Sequence, residues 1–205
     1  LKLIFKPQKH YAYAVQIINS MLLLKKRDND HQQLYLTLLI RYAQLDKYNQ
    51  VKLVELTDAH ASLLNIDVLP KYLSPKNEVL YSLPEISRAL LEEINCAHLM
   101  IGGNIEEQSN TNKFFELVHQ HRGKYDEFIK LLDRELDAKM FLNDNTSLHT
   151  CDLYAFCFLL AHMVELENQL KLEVPNVYRW FNYIQHLRGI RQSLDAMGFA
   201  TMDAI

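Results

Sequence analysis

The chain has 205 residues, enough for one domain or two compact halves with a buried core. Apolar residues make up 49% and charged residues 23%, and 5 glycines and 5 prolines exclude long low-complexity linkers. The 25 acids against 22 lysines and arginines leave a net charge of −3, which argues against autonomous nucleic-acid binding, a task that takes a basic surplus to displace counterions from phosphates.

Residues 1–6 are short, apolar and bounded by Pro7, the pattern of a buried strand. The chain opens at Leu1 rather than at a methionine, so it reads as a trimmed chain in which any targeting segment would not be visible. Ala14, Ile17, Ile18, Met21 and Leu22 recur at helical spacing and predict a helix that ends in the basic turn Lys25, Lys26, Arg27. In 34–45 the residues Leu34, Leu38, Tyr42 and Leu45 fit a helix, while Tyr35, Leu36 and Thr37 would accept a strand. Residues 51–56 read as a strand. Pro70 then precedes two short apolar runs, 71–73 and 79–81, separated by turn residues Ser74, Pro75, Lys76 and Asn77, which predicts a hairpin. The bond before Pro70 reads equally as cis or trans. Ser82 with Glu85 three positions on and Pro84 in the first turn forms a capping box, opening a helix whose stripe is Leu83, Ile86, Leu90 and Ile94.

Residues 101–112 are polar and rich in turn formers, and the division is placed there, giving halves 1–100 and 110–205. The second half reads as helix throughout. Tyr125, Phe128, Ile129, Leu132, Leu136 and Met140 form one stripe, and 152–164 are apolar on nearly every side, as expected of a helix at the centre of a bundle, with His162 as a core histidine. Pro175 starts a further helix, and Gly189 separates it from a short last one over 190–197. Cys96, Cys151 and Cys157 lack disulfide or zinc spacing and suit a reducing compartment. No apolar run reaches membrane length, so no membrane partner is expected.

This order of elements resembles the glutathione-transferase architecture over essentially the whole chain: a thioredoxin-like α/β N-terminal half joined to an all-α C-terminal half. Thr150, Cys151 and Asp152 after Leu148 and His149 are similar to that family's hydrophobic-Thr-x-x-Asp helix start, with His149 where a capping Thr or Ser usually sits. The run Asn176, Val177, Tyr178, Arg179, Trp180, Phe181, with Ile184, Gln185, His186 and then Gly189, Ile190, Arg191, Gln192, resembles the elongation factor one epsilon family of auxiliary subunits of the multi-aminoacyl-tRNA-synthetase complex. Related helices occur in the GST-like domains of methionyl- and glutamyl-tRNA synthetases and in tRNA-binding synthetase cofactors.

Val177, Trp180, Phe181, Ile184 and Leu187 should face the core, which leaves Arg179, Asn182, Tyr183 and His186 on the outer face of the same helix. Arginine and tyrosine on one exposed stripe match interface composition. In the resembled family the arginine of the Arg-Trp-Phe step anchors a heterotypic helix-to-helix contact. A second surface is expected at Leu80, Leu83, Ile86 and Leu90, where GST-like domains dimerise. The resemblance thus implies a non-catalytic, cytoplasmic scaffold that binds GST-like domains of aminoacyl-tRNA synthetases or related auxiliary proteins, with a homodimer as an alternative assembly and tRNA reached only indirectly.

No catalytic, metal or cofactor residue is assigned. The alternatives are a GST-like module of a longer synthetase, a tRNA-binding cofactor, elongation factor one gamma, or an active glutathione transferase. For the last, Tyr11 is the only hydroxyl placed to activate a thiol after the first strand, and Tyr81 stands before Ser82 where the family has an acidic or amide residue. His119 and His121 sit two apart and diverge on a helix, and the other histidines are scattered.

Overall fold

The computed structural model describes residues 20–25, 30–45, 51–63, 70–143, 147–166 and 172–202. The expected strand at 1–6, Tyr11 and the bond before Pro70 lie outside them.

Strand β1 (Ser20–Lys25) pairs in parallel with β2 (Val51–Leu56), Leu22 opposite Leu53, and antiparallel with β3 (Lys71–Leu73), which pairs with β4 (Val79–Leu80). The sheet order is β2-β1-β3-β4. The helical reading is therefore corrected for Met21, Leu22 and Lys25, while Ala14, Ile17, Ile18, Lys26 and Arg27 lie outside the described residues. Ser20, Leu22 and Leu24 are buried while Met21 and Leu23 are half-buried, the two-residue alternation of a strand. The local pattern fits both periods, and parallel pairing with a segment 31 residues downstream decides between them.

Helix α1 (His31–Tyr42) resolves the ambiguity of 34–45; its N-terminus is capped by Asp30, whose Oδ1 accepts from Gln32 N–H at 2.9 Å. A short α2 (Asp58–Leu63) follows β2. The hairpin turn is held by Ser74, whose Oγ accepts from the N–H groups of Lys76 and Glu78. Helix α3 (Leu83–Glu92) starts where the capping box predicts: Ser82 Oγ accepts from Glu85 N–H and donates to the Glu85 carboxylate at 2.6 Å. A one-turn α4 (Ala97–Met100) leads to α5 (Ile105–Gln120).

The polar stretch assigned to a division is thus largely helix. Asn104 Oδ1 accepts from Glu107 N–H at 2.9 Å, and the Glu107 carboxylate accepts in return from the Asn104 amide and from Gly103 N–H, both at 2.7 Å. Gly102 has a φ of +134°, and a Cβ there would lie 2.5 Å from Glu107 Cβ.

Helices α6 (Tyr125–Glu135), α7 (Thr150–Glu165), α8 (Pro175–His186) and α9 (Ile190–Met197) complete the second half. Residues 150–160 of α7 are all buried, as its continuous apolar pattern requires. Two expectations are corrected. His162 is part-exposed and its Nε2 lies 3.2 Å from Asp126 Oδ1. Met140 leaves the α6 stripe: the helix ends at Glu135, Ala138 turns the chain with a φ of +57°, and Met140 is 49% exposed.

The two halves meet through aromatic rings. Tyr154 of α7 stacks on Phe115 of α5 at 4.8 Å between ring centres and meets Tyr35 of α1 edge-on at 5.1 Å. Tyr35 Oη in turn lies 2.6 Å from Ser87 Oγ, and Ser87 donates onward to the Leu83 carbonyl, which makes Tyr35 the donor. Among the described residues no helix is long and apolar enough to cross a membrane.

Candidate protein interface on helix α8

Helix α8 begins with Pro175, so one of its first-turn N–H groups is absent, and no side chain of its own caps the rest. The cap comes from α6. Asp133 Oδ1 accepts from Asn176 N–H at 2.8 Å and Val177 N–H at 3.0 Å, and Asn176 Nδ2 donates back to the Asp133 carbonyl at 3.1 Å. One turn later, Arg179 Nη2 donates to the carbonyls of Leu136 (3.2 Å) and Lys139 (2.7 Å), just past the C-terminus of α6.

The two helices thereby exchange complementary groups: a carboxylate at the positive end of α8 and a guanidinium at the negative end of α6. Asp133→Ala removes the cap on α8. The expected loss is about 1–2 kcal/mol of stability by chemical denaturation, with faster amide exchange at Asn176 and Val177.

The inward face of α8 carries Val177, Trp180, Phe181 and Ile184, all buried, with Leu187 half-buried at the end. Trp180 Nε1 donates to Asp152 Oδ1 at 2.9 Å, and the same carboxylate accepts from Leu142 N–H at 2.8 Å and His149 N–H at 3.1 Å. This ties α8 to the first turn of α7 and to the segment after α6. Burial raises the Asp152 carboxyl to about 6, with the hydrogen bonds from Leu142, Trp180 and His149 opposing it.

The outward face holds the predicted set together. Arg179 and His186 are exposed, Tyr183 is 46% exposed, and Asn182 is half-buried. His186 Nδ1 lies 2.8 Å from the Asn182 carbonyl, and Gln185 Nε2 donates to Asn182 Oδ1 at 2.7 Å, so this face is ordered by its own helix. Phe141 meets the Tyr183 ring edge-on at 5.8 Å. Met140 and the two carbonyls holding Arg179 are the parts that sequence reasoning missed. Backbone carbonyls carry no side-chain signature, and Met140 continued an apolar spacing that the helix itself does not.

The second predicted surface is corrected. Leu83, Ile86 and Leu90 are buried in the core and Leu80 is half-buried, because α3 turns its strongly apolar face into the core it shares with α1 and α4. What the hairpin exposes instead is Leu73, Val79 and Tyr81.

A cleft of about 620 Å³ opens beside Ser82, bordered by Gln32, Pro70, Glu116, His119 and Tyr154. The Ser82 hydroxyl is engaged with Glu85, and Tyr154 is almost wholly buried. Cys151 and Cys157 are buried and their thiols are pushed up by burial. Among the described residues no three His, Cys, Asp or Glu side chains converge as metal ligands.

The four-stranded sheet and the apolar central helix belong to a glutathione-transferase-like fold. The GST-like domain of elongation factor 1-gamma from Saccharomyces cerevisiae superposes with a TM-score of 0.67 at 15% identity, covering 88% of this chain and 95% of that one. A chain from crystal structures of two binary sub-complexes of the yeast aminoacyl-tRNA synthetase complex superposes with a TM-score of 0.58 at 12% identity, covering 87% and 93%. In sequence, human eukaryotic translation elongation factor 1 epsilon-1 is 31% identical over 126 residues, which span 58% of this chain and 71% of the human protein. The chain belongs to the eukaryotic translation elongation factor 1 epsilon-1 family. No family model matches it.

Proposed function

We propose that the chain is a non-catalytic, cytoplasmic docking module that joins GST-like domains of aminoacyl-tRNA synthetases through the outer face of α8. The observation that carries this reading is the exposed Arg179, fixed on the carbonyls of Leu136 and Lys139 and flanked by Tyr183. Its Nη2 makes both bonds, and among the described residues Nη1 and Nε have no acceptor, so their N–H groups are left for a partner. Membership of an elongation-factor family and the structural likeness to a chain of a synthetase sub-complex support the choice of partner. The non-catalytic part of the proposal is supported by the commitment of the Ser82 hydroxyl to its helix cap and by the burial of Tyr154.

The test is Arg179→Glu, assayed by pull-down and titration against the GST-like domains of methionyl- and glutamyl-tRNA synthetase. The affinity should fall at least about tenfold, the scale of an interface hot spot, with the circular dichroism spectrum retained. Equal binding by the variant would count decisively against α8 as the docking face.

A further inference from the structure

Beside Arg179 lies a pocket of about 390 Å³ lined by Ala138, Lys139, Met140, Arg179, Trp180 and Tyr183. Two of its walls are open to solvent: Met140 is 49% and Tyr183 46% exposed, while Trp180 is buried. The pocket exists because α6 stops at Glu135. The left-handed Ala138 then swings Lys139 and Met140 back toward α8, and the Lys139 carbonyl takes the Arg179 guanidinium at 2.7 Å. The wall that holds the arginine is therefore the wall that makes the cavity. The charge is one-sided: Arg179 and Lys139 stand on the rim, and no acid is among the described lining residues. Lys139 also lines a neighbouring groove with Arg134, Glu135 and Asp137.

We infer that this pocket receives a bulky apolar side chain of a partner helix, with a carboxylate one helical turn away meeting the remaining N–H groups of Arg179. This rests on the docking reading of α8 and deepens it by stating what the partner must present. A cavity of this size accepts one large side chain, the depth at which interface anchors sit. The turn spacing follows from helix geometry, since residues three or four apart share a face. An aromatic or aliphatic side chain fits the Met140, Tyr183 and Trp180 walls, and a guanidinium whose Nη2 is already bonded offers its remaining N–H groups, on Nη1 and Nε, to a single carboxylate.

The minimal probe is 3-phenylpropionate, an apolar ring with one carboxylate, titrated against the ¹³C-labelled Met140 methyl by NMR. A saturable shift is expected, with the acid binding at least about threefold tighter than 3-phenylpropanamide, and that preference should disappear in Arg179→Gln. In parallel, Met140→Ser, at a position exposed enough to leave the fold intact, should weaken binding of a synthetase GST-like domain at least about tenfold. Absence of a saturable shift, or equal binding of acid and amide, overturns the inference. If Arg179→Glu abolishes assembly but Met140→Ser leaves it unchanged, the pocket is wrong and docking through α8 stands. If neither variant affects assembly, both are wrong.

Discussion

Asp152→Ala is expected to destabilise the protein by about 3–5 kcal/mol, read as a fall in the urea midpoint at constant m-value. The carboxylate is wholly buried and accepts from Leu142 N–H, His149 N–H and Trp180 Nε1–H. Removing it strands three donors where water does not reach, and each carries its own desolvation cost. Asp152→Asn keeps the volume and one acceptor oxygen but sets an NH₂ among donors, so a smaller loss of about 1–3 kcal/mol is expected.

The same residue gives a pH signature. In the unfolded chain its carboxyl titrates near 4, whereas in the fold burial raises it to about 6. Between those values the native state holds a proton that the unfolded state has released, so this group's contribution falls as pH rises from about 4 to about 6 and is flat above. The stability advantage of the wild type over Asp152→Asn should accordingly shrink by about 2–3 kcal/mol across that window. A gap that is constant, or that widens with pH, would show that Asp152 is not the group responsible.

Tyr154→Ala is the second change of this size, with an expected cost of about 3–5 kcal/mol. Its ring is buried between Phe115 and Tyr35 and reaches His31 at 5.8 Å, so one truncation opens a cavity where α1, α5 and α7 meet. Tyr154→Phe keeps the rings packed and loses only the hydroxyl, at a cost of about 1 kcal/mol. Thermal unfolding of the two variants separates packing from polarity. Similar losses for both would place the effect in the hydroxyl and refute the packing account. Because the ring joins the sheet-bearing half to the helical half, Tyr154→Ala should also broaden the transition, as the halves lose their common melting.

These residues also show where sequence reading reaches and where it stops. The α3 start was legible because Ser82 and Glu85 satisfy each other within four residues. The boundaries of α8 and α9 were legible because Pro175 and Gly189 act on their own backbone; Gly189 adopts a φ of +94°. The burial of α7 followed from its lack of a polar face. Strand β1 was not legible, since Met21 and Leu22 fit either period and the deciding partner, β2, is distant in sequence. Within the candidate interface, helical spacing put Arg179, Asn182, Tyr183 and His186 on one face correctly. The same rule put Leu83, Ile86 and Leu90 on one face too, but which face of α3 turns into the core depends on tertiary packing. Asp133 lies off the apolar stripe of α6, and only the approach of α8 makes it a cap.

On the docking role proposed for α8, the exchange of Asp133 and Arg179 between α6 and α8 bears on kinetics as much as on affinity. A long cationic side chain usually surrenders rotamer entropy when it is captured, and that loss is subtracted from the affinity. Here the guanidinium is immobilised by its own fold before any encounter, so little freedom is left to surrender. Encounter should resemble a rigid key meeting a lock, and rival partners should be sorted by how long they stay rather than by how quickly they arrive.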